Sequence, residues 1–98
     1  MFTDTNYSEK LTGANGVLMF YKKLCPACKA LNKMLEKFFA ANPDIPFMQI
    51  DSEECPEAVR SFEVLKIPTL FILKEGNISA RKAGLMNLKA MADFYRSA

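Results

Sequence analysis

Apolar and polar residues change period several times along the chain, and each change marks an element. Val17-Leu18-Met19-Phe20-Tyr21 is apolar at every position, the pattern of a central strand covered on both faces. From Pro26 to about Ala41, Cys28, Leu31, Leu35 and Phe38 recur at helical spacing, while Lys29, Lys33, Glu36 and Lys37 fall on the other faces. Asn42-Pro43-Asp44 ends that helix, and residues 45–50 read as the next strand, interrupted near its start by Pro46. Asp51 or Ser52 is placed to cap a short helix over residues 54–60, with acidic residues in its first turn. After a loop ending at Ile67-Pro68, the run Thr69-Leu70-Phe71-Ile72-Leu73 predicts another strand, and Glu75-Gly76-Asn77 turns it into a hairpin with residues 78–83. Gly84 breaks the pattern, and Leu85, Leu88, Met91 and Tyr95 then space out as a terminal helix. At the start of the chain, residues 2–5 are expected as an optional edge strand. Residues 6–12 follow as a brief helix, stopped by Gly13 and Asn15-Gly16. The order predicts an α/β fold with parallel pairing first and an antiparallel hairpin last.

Composition narrows the function. The 98 residues suit a single domain, residues 1–98, large enough to bury a core without staples. Half of them are hydrophobic, which argues against disorder. A net charge of +2 without a basic tract gives no case for nucleic acid or a charged membrane surface, and a monomer is expected. No apolar run approaches the length of a membrane span. Residues 1–10 carry Asp4 and Glu9 and lack a hydrophobic signal region, so a cytoplasmic location is expected.

The candidate chemistry lies in Lys22-Lys23-Leu24-Cys25-Pro26-Ala27-Cys28-Lys29, at the junction of a strand and a helix. A Cys-x-x-Cys pair in that context points to redox chemistry. Cys25 precedes the helix, where unpaired N–H groups and the positive dipole end favour an anion. A free thiol titrates near 8.5, and such a site lowers it to roughly 3.5–7.5. Lys22, Lys23 and Lys29 add positive charge, and Pro26 suits the first helical position, which needs no N–H. Cys28, one turn on, is within reach of Cys25. The reading is thiol–disulfide exchange, with Cys25 as nucleophile and Cys28 as resolving thiol. A closed zinc or iron–sulfur site needs about four Cys or His ligands. The chain has no histidine and only Cys55 to spare, so no metal or other cofactor is expected. Cys55 lies among Glu53, Glu54 and Glu57, an acidic setting that keeps a thiol protonated and unreactive.

These motifs together resemble the thioredoxin family over nearly the whole chain. The resemblance rests on Cys25-Pro26-Ala27-Cys28 after a strand, Ile67-Pro68-Thr69, Lys74-Glu75-Gly76 at a hairpin, and Gly84 before the last helix. It implies the thioredoxin fold, with a central mixed four- or five-stranded sheet flanked by helices on both faces. It also implies that Pro68 is cis and faces the sulfurs, and that Leu24, Pro26, Ala27, Ile67, Pro68 and Gly84 contact an extended substrate. The implied partners are disulfide-containing proteins and a thioredoxin reductase-type electron donor. The chain departs from the family at several points. Leu24 stands where tryptophan is usual, and Pro-Ala separates the cysteines, a Cys-Pro-x-Cys sequence more typical of glutaredoxins and some disulfide oxidants. Met19 and Phe47 occupy the positions of a buried aspartate and its lysine, which removes the usual proton relay for Cys28. Two further readings therefore stand beside the reductase: a redox-sensing or interaction module with poor turnover, and a glutaredoxin-like enzyme using glutathione. No glycine-rich glutathione site follows Pro68.

Overall fold

The apolar runs become the two inner strands of a mixed sheet. The computed structural model describes residues 2–98, so Met1, the first residue of the expected 1–98 domain, lies outside the described residues. Among them the order is α1 (Tyr7–Leu11), β1 (Gly16–Tyr21), α2 (Pro26–Ala41), β2 (Phe47–Asp51), α3 (Pro56–Ser61), β3 (Thr69–Lys74), β4 (Asn77–Ala83) and α4 (Leu88–Ser97). The strands lie in the order β2-β1-β3-β4. β1 pairs parallel with β2, placing Val17 opposite Phe47 and Tyr21 opposite Asp51. It pairs antiparallel with β3, and β3 with β4, where Ser79 is skipped as a bulge between the Ile72–Ala80 and Leu73–Ile78 pairs.

Successive side chains of a strand point to opposite faces, and here both faces are covered. On one, Val17 and Met19 of β1 and Leu70 and Ile72 of β3 bury against Leu31, Leu35 and Phe38 of α2 and Met91 of α4. On the other, Leu18, Phe20, Phe71 and Leu73 bury against Leu11 of α1 and Ala58 of α3. Phe38 meets Tyr95 edge-on with ring centroids 6.0 Å apart, which ties α2 to α4. The entry to β1 is tight. Gly16 has φ +128°, and a Cβ there would strike the Pro46 carbonyl oxygen, which accepts the Val17 N–H at 2.9 Å. Among the described residues no helix is long and apolar enough to cross a membrane.

Four expectations are corrected. Residues 2–5 form no strand, so the sheet has four strands among the described residues. They lead into a turn before α1 instead: Asn6 Oδ1 accepts from Thr3 N–H at 2.8 Å, and Tyr7 N–H donates to the Thr3 carbonyl at 3.0 Å. β2 begins at Phe47 rather than at residue 45, because Pro46 has no N–H to offer a ladder. Neither Asp51 nor Ser52 caps α3. The N-cap position is Cys55, without a side-chain bond. The Asp4 carboxylate does the capping from far away in sequence, accepting from Glu57 N–H at 3.1 Å and Ala58 N–H at 3.2 Å. The last helix starts at Leu88, where Asn87 Oδ1 accepts from Ala90 N–H at 2.8 Å. Leu85 and Leu88 are exposed, so Met91 carries the burial.

The Asp4 cap yields a stability prediction. Asp4→Ala leaves two N–H groups at the start of α3 without a protein acceptor, and should cost about 1–2 kcal/mol. Urea unfolding of parent and variant measures this. A difference within error would show that water replaces the carboxylate at no cost.

Candidate active site

β1 delivers the chain to the loop 22–24, and Pro26 starts α2 directly after Cys25. Cys25 is the N-cap residue, with φ −143° and ψ 97°, and its carbonyl accepts the first intrahelical bond from Lys29 N–H at 3.1 Å. Its Sγ accepts from Cys28 N–H at 3.1 Å. A cysteine sulfur thus fills the place usually taken by a serine or aspartate oxygen. The first turn of α2 contains no acidic residue to oppose an anion there. Cys25 and Cys28 are joined as a disulfide, with Cα atoms 5.2 Å apart. Both residues are buried in this oxidised form, Cys25 at 5% and Cys28 at 3% exposure. Both belong to the apolar cluster on the α2 face, and Ala27 packs against it.

The neighbouring lysines divide. Lys22 and Lys29 are exposed. Lys23 is engaged, 2.9 Å from Glu54 and 4.0 Å from Asp51. The hydrogen bond from Lys23, with its charge, holds the Glu54 carboxyl below its ordinary value, and Glu54 in turn raises the Lys23 ammonium. This contact, together with the Ser52 N–H bond to the Tyr21 carbonyl at 2.7 Å, ties the loop before Cys25 to the start of α3. Sequence reasoning missed it, since a pair between Lys23 and Glu54 depends on β1 and β2 lying side by side.

The third part of the site is the loop entering β3. The Ile67–Pro68 peptide is cis. Thr69 Oγ1 donates to the Lys66 carbonyl at 2.6 Å, and Gly84 N–H donates to the Pro68 carbonyl at 2.9 Å. Pro68 and Gly84, far apart in sequence, are therefore in direct contact. Ile67 packs against both core clusters, including the one that holds the cysteines. Pro26 is exposed, and Leu24 is 92% exposed. Leu65, at 93%, was not among the sequence candidates; its only sign was a lone leucine ahead of Lys66.

Met19 is fully buried in the cluster that contains both cysteines, as its match to the family's aspartate position implied. Phe47 packs against the same cluster and stacks on Phe39 at 4.7 Å. Both positions are held by apolar contact. Cys55 is fully buried, and its thiol donates to the Phe2 carbonyl at 3.5 Å. Burial first, then the charges of Asp4, Asp51 and Glu54, pushes that thiol up. Glu54 alone of the three acids expected from sequence contributes to this shift, because Asp4 and Asp51 come close only in the fold.

A disulfide closed across the first turn of a helix, beside a cis-proline loop on a mixed sheet, defines a thiol–disulfide oxidoreductase. The thioredoxin family matches residues 1–97. Thioredoxin of Chlamydia pneumoniae is 34% identical over 74 residues, covering 74% of this chain and 72% of that protein. The reduced solution structure of desulfothioredoxin from Desulfovibrio vulgaris Hildenborough superposes with a TM-score of 0.86 at 30% identity, over 93% of this chain and 88% of that one. Oxidised mitochondrial thioredoxin 3 of Saccharomyces cerevisiae gives 0.83 at 25% identity, over 100% and 92%. The chain belongs to the thioredoxin family.

Two predictions concern the buried residues Met19, beside the disulfide, and Cys55, on the other face of the sheet. Met19→Asp removes a packed side chain and places a carboxyl in apolar surroundings, costing roughly 3–5 kcal/mol. Burial raises the new carboxyl's folded pKa above its unfolded value of about 3.9, so the penalty deepens as pH rises through that value and levels off above the folded one. Where the variant folds, a base near Cys28 should speed resolution of a mixed disulfide. Urea unfolding at pH 5 and pH 8, with resolution rates, checks both; unchanged stability and rate would separate position 19 from the disulfide. Cys55→Ser should leave disulfide reduction intact to within about tenfold, or roughly 1.4 kcal/mol in the barrier. The raised folded pKa of Cys55 means its stabilising contribution is complete below the ordinary thiol value and is lost as pH climbs through the folded one. The fall in parent stability above about pH 8.5 should therefore be shallower in Cys55→Ser.

Proposed function

We propose that the protein reduces disulfides of partner proteins, cycling between a Cys25/Cys28 dithiol and the disulfide. The observation that carries this is Cys25 Sγ accepting the Cys28 N–H at the start of α2. There the helix N-terminus stabilises negative charge on one sulfur more than on the other. In the reduced protein the Cys25 thiolate attacks one sulfur of a substrate disulfide. A Cys25–substrate disulfide forms, and the second substrate sulfur leaves as a thiolate. Cys28 then attacks Cys25 Sγ, the Cys25–Cys28 bond closes, and the first substrate sulfur departs. Two electrons pass from the dithiol to the substrate. Met19 offers no base, so the Cys28 proton goes to water or to the thiolate released in the first step.

Ile67 and Pro68, with Gly84 bonded to the Pro68 carbonyl, supply backbone beside the sulfurs for an extended substrate chain, and Leu24, Pro26 and Ala27 supply side-chain contact. A thioredoxin reductase-type donor returns two electrons to the disulfide. The protein works as a monomer in a reducing compartment such as the cytoplasm, in keeping with a Cys-x-x-Cys pair and a separate, unbridged, buried Cys55. Neither the sensing module nor the glutathione-dependent enzyme has an observation in its favour.

Division of labour between the sulfurs is testable. Cys28→Ser should accumulate a mixed disulfide through Cys25, seen as a mass adduct removed by dithiothreitol, because no resolving thiol remains. Trapping through Cys28 in Cys25→Ser, with none in Cys28→Ser, would reverse the roles.

A further inference from the structure

A groove runs between the loop after α3 and the outer strand β4. It consists of two cavities that share Leu65 and Arg81. The larger, about 660 Å³, has Val59, Val64 and Leu65 as apolar wall and Arg60, Glu63 and Arg81 as polar lining. The smaller, about 300 Å³, is lined by Leu65, Lys66, Thr69, Arg81, Lys82 and Ala83. Lys66 and Thr69 flank Ile67–Pro68, so the groove opens beside the loop proposed to hold substrate backbone.

Its charge is one-sided. Arg60, Lys66 and Arg81 line it on this side of the sheet, against the single carboxylate of Glu63, while Lys82, next to Arg81 along β4, points to the opposite face. Among the described residues none of those four cations has a carboxylate within 4.0 Å. Arg81 is fixed in place: it donates to the Phe62 carbonyl at 2.8 Å and the Glu63 carbonyl at 2.6 Å, and its guanidinium lies 4.9 Å from the centre of the Phe71 ring. Leu65 is held out to solvent at the meeting point of the two cavities, where burying it would gain apolar contact.

We propose that this groove docks an acidic, aliphatic-rich stretch of the substrate protein, lying in its chain beyond the disulfide that Cys25 attacks. The assignment rests on the exchange reading above. Carboxylates of the partner meet Arg60 and Lys66, and its aliphatic side chains cover Leu65, Val59 and Ala83. Opposite charge raises the rate of encounter and selects the partner. A nucleic acid fits less well, since the lining offers no aromatic ring on which a base would stack.

The test separates docking from thiol chemistry. Isotope-labelled oxidised protein is titrated with a disulfide-free peptide of alternating Glu and Leu, with its Gln–Leu counterpart, and with a short single-stranded RNA. The Glu–Leu peptide should shift the amide signals of Leu65, Lys66, Lys82 and Ala83 and bind at least about fivefold more tightly than the Gln–Leu peptide. That margin should shrink in 0.5 M salt, where the screening length is only a few ångströms, and vanish in the double variant Arg60→Gln/Lys66→Gln. In turnover, disulfide peptides bearing the same flanks should show the same preference in kcat/KM when each rate is divided by that for neutral bis(2-hydroxyethyl) disulfide. Equal binding of the two peptides, shifts confined to other residues, a margin that persists in the double variant, or tighter binding of RNA would each overturn the proposal. Failure to reduce bis(2-hydroxyethyl) disulfide would instead strike at the Cys25/Cys28 chemistry, and the peptide titration would still decide the groove.

Discussion

A strand with no solvent-facing side chain along most of its length constrains everything around it. Val17, Leu18, Met19 and Phe20 are all fully buried, so β1 needs a helix on each face and a strand on each edge. The covering helices inherit their places from that demand. α2 must return over Val17 and Met19, which sets its N-terminus above the end of the strand it has just left. The cysteines sit where they do because the chain turns there. The cis-proline loop arrives at the same end because β3 runs antiparallel to β1 and starts beside its finish.

Two opposed effects meet at the sulfurs. The start of α2 favours a thiolate at Cys25 by hydrogen bond and dipole. The apolar cluster around both cysteines, Met19 included, disfavours charge and suits the neutral disulfide. Met19, buried among the same apolar residues, offers the cysteines no proton acceptor. The reduction potential reflects the difference between these two environments, because only the reduced state carries the charge.

Much of the architecture was legible in local pattern. Period alone located β1, α2 and β3, and the four apolar positions Cys28, Leu31, Leu35 and Phe38 are all buried. The strand-to-helix context of Cys25 and Cys28 placed the disulfide. What stayed hidden was whatever joins distant segments. Asp4 as the cap of α3, Lys23 against Glu54, and Gly84 on the Pro68 carbonyl each need the sheet to be assembled before the partners meet. Leu85 and Leu88 misled for the reverse reason: they keep helical spacing with Met91, but one lies outside α4 and both face solvent. A repeat of apolar residues shows that a helix can bury a face, not which of its turns has a surface to meet.

The reach of Asp4 also bears on the order in which structure forms. α3 has only six residues and no side-chain cap of its own, too short to persist as an isolated helix. Its N-terminal donors are satisfied by a carboxylate more than fifty positions earlier in the chain, with a separation of 53 residues to Glu57. The loop that must close before this bond forms encloses β1, α2 and β2, so the entropy of closing it falls once those elements have collapsed. α3 is thus a non-local helix, a short segment whose formation behaves like the pairing of remote strands and raises the contact order of the whole fold.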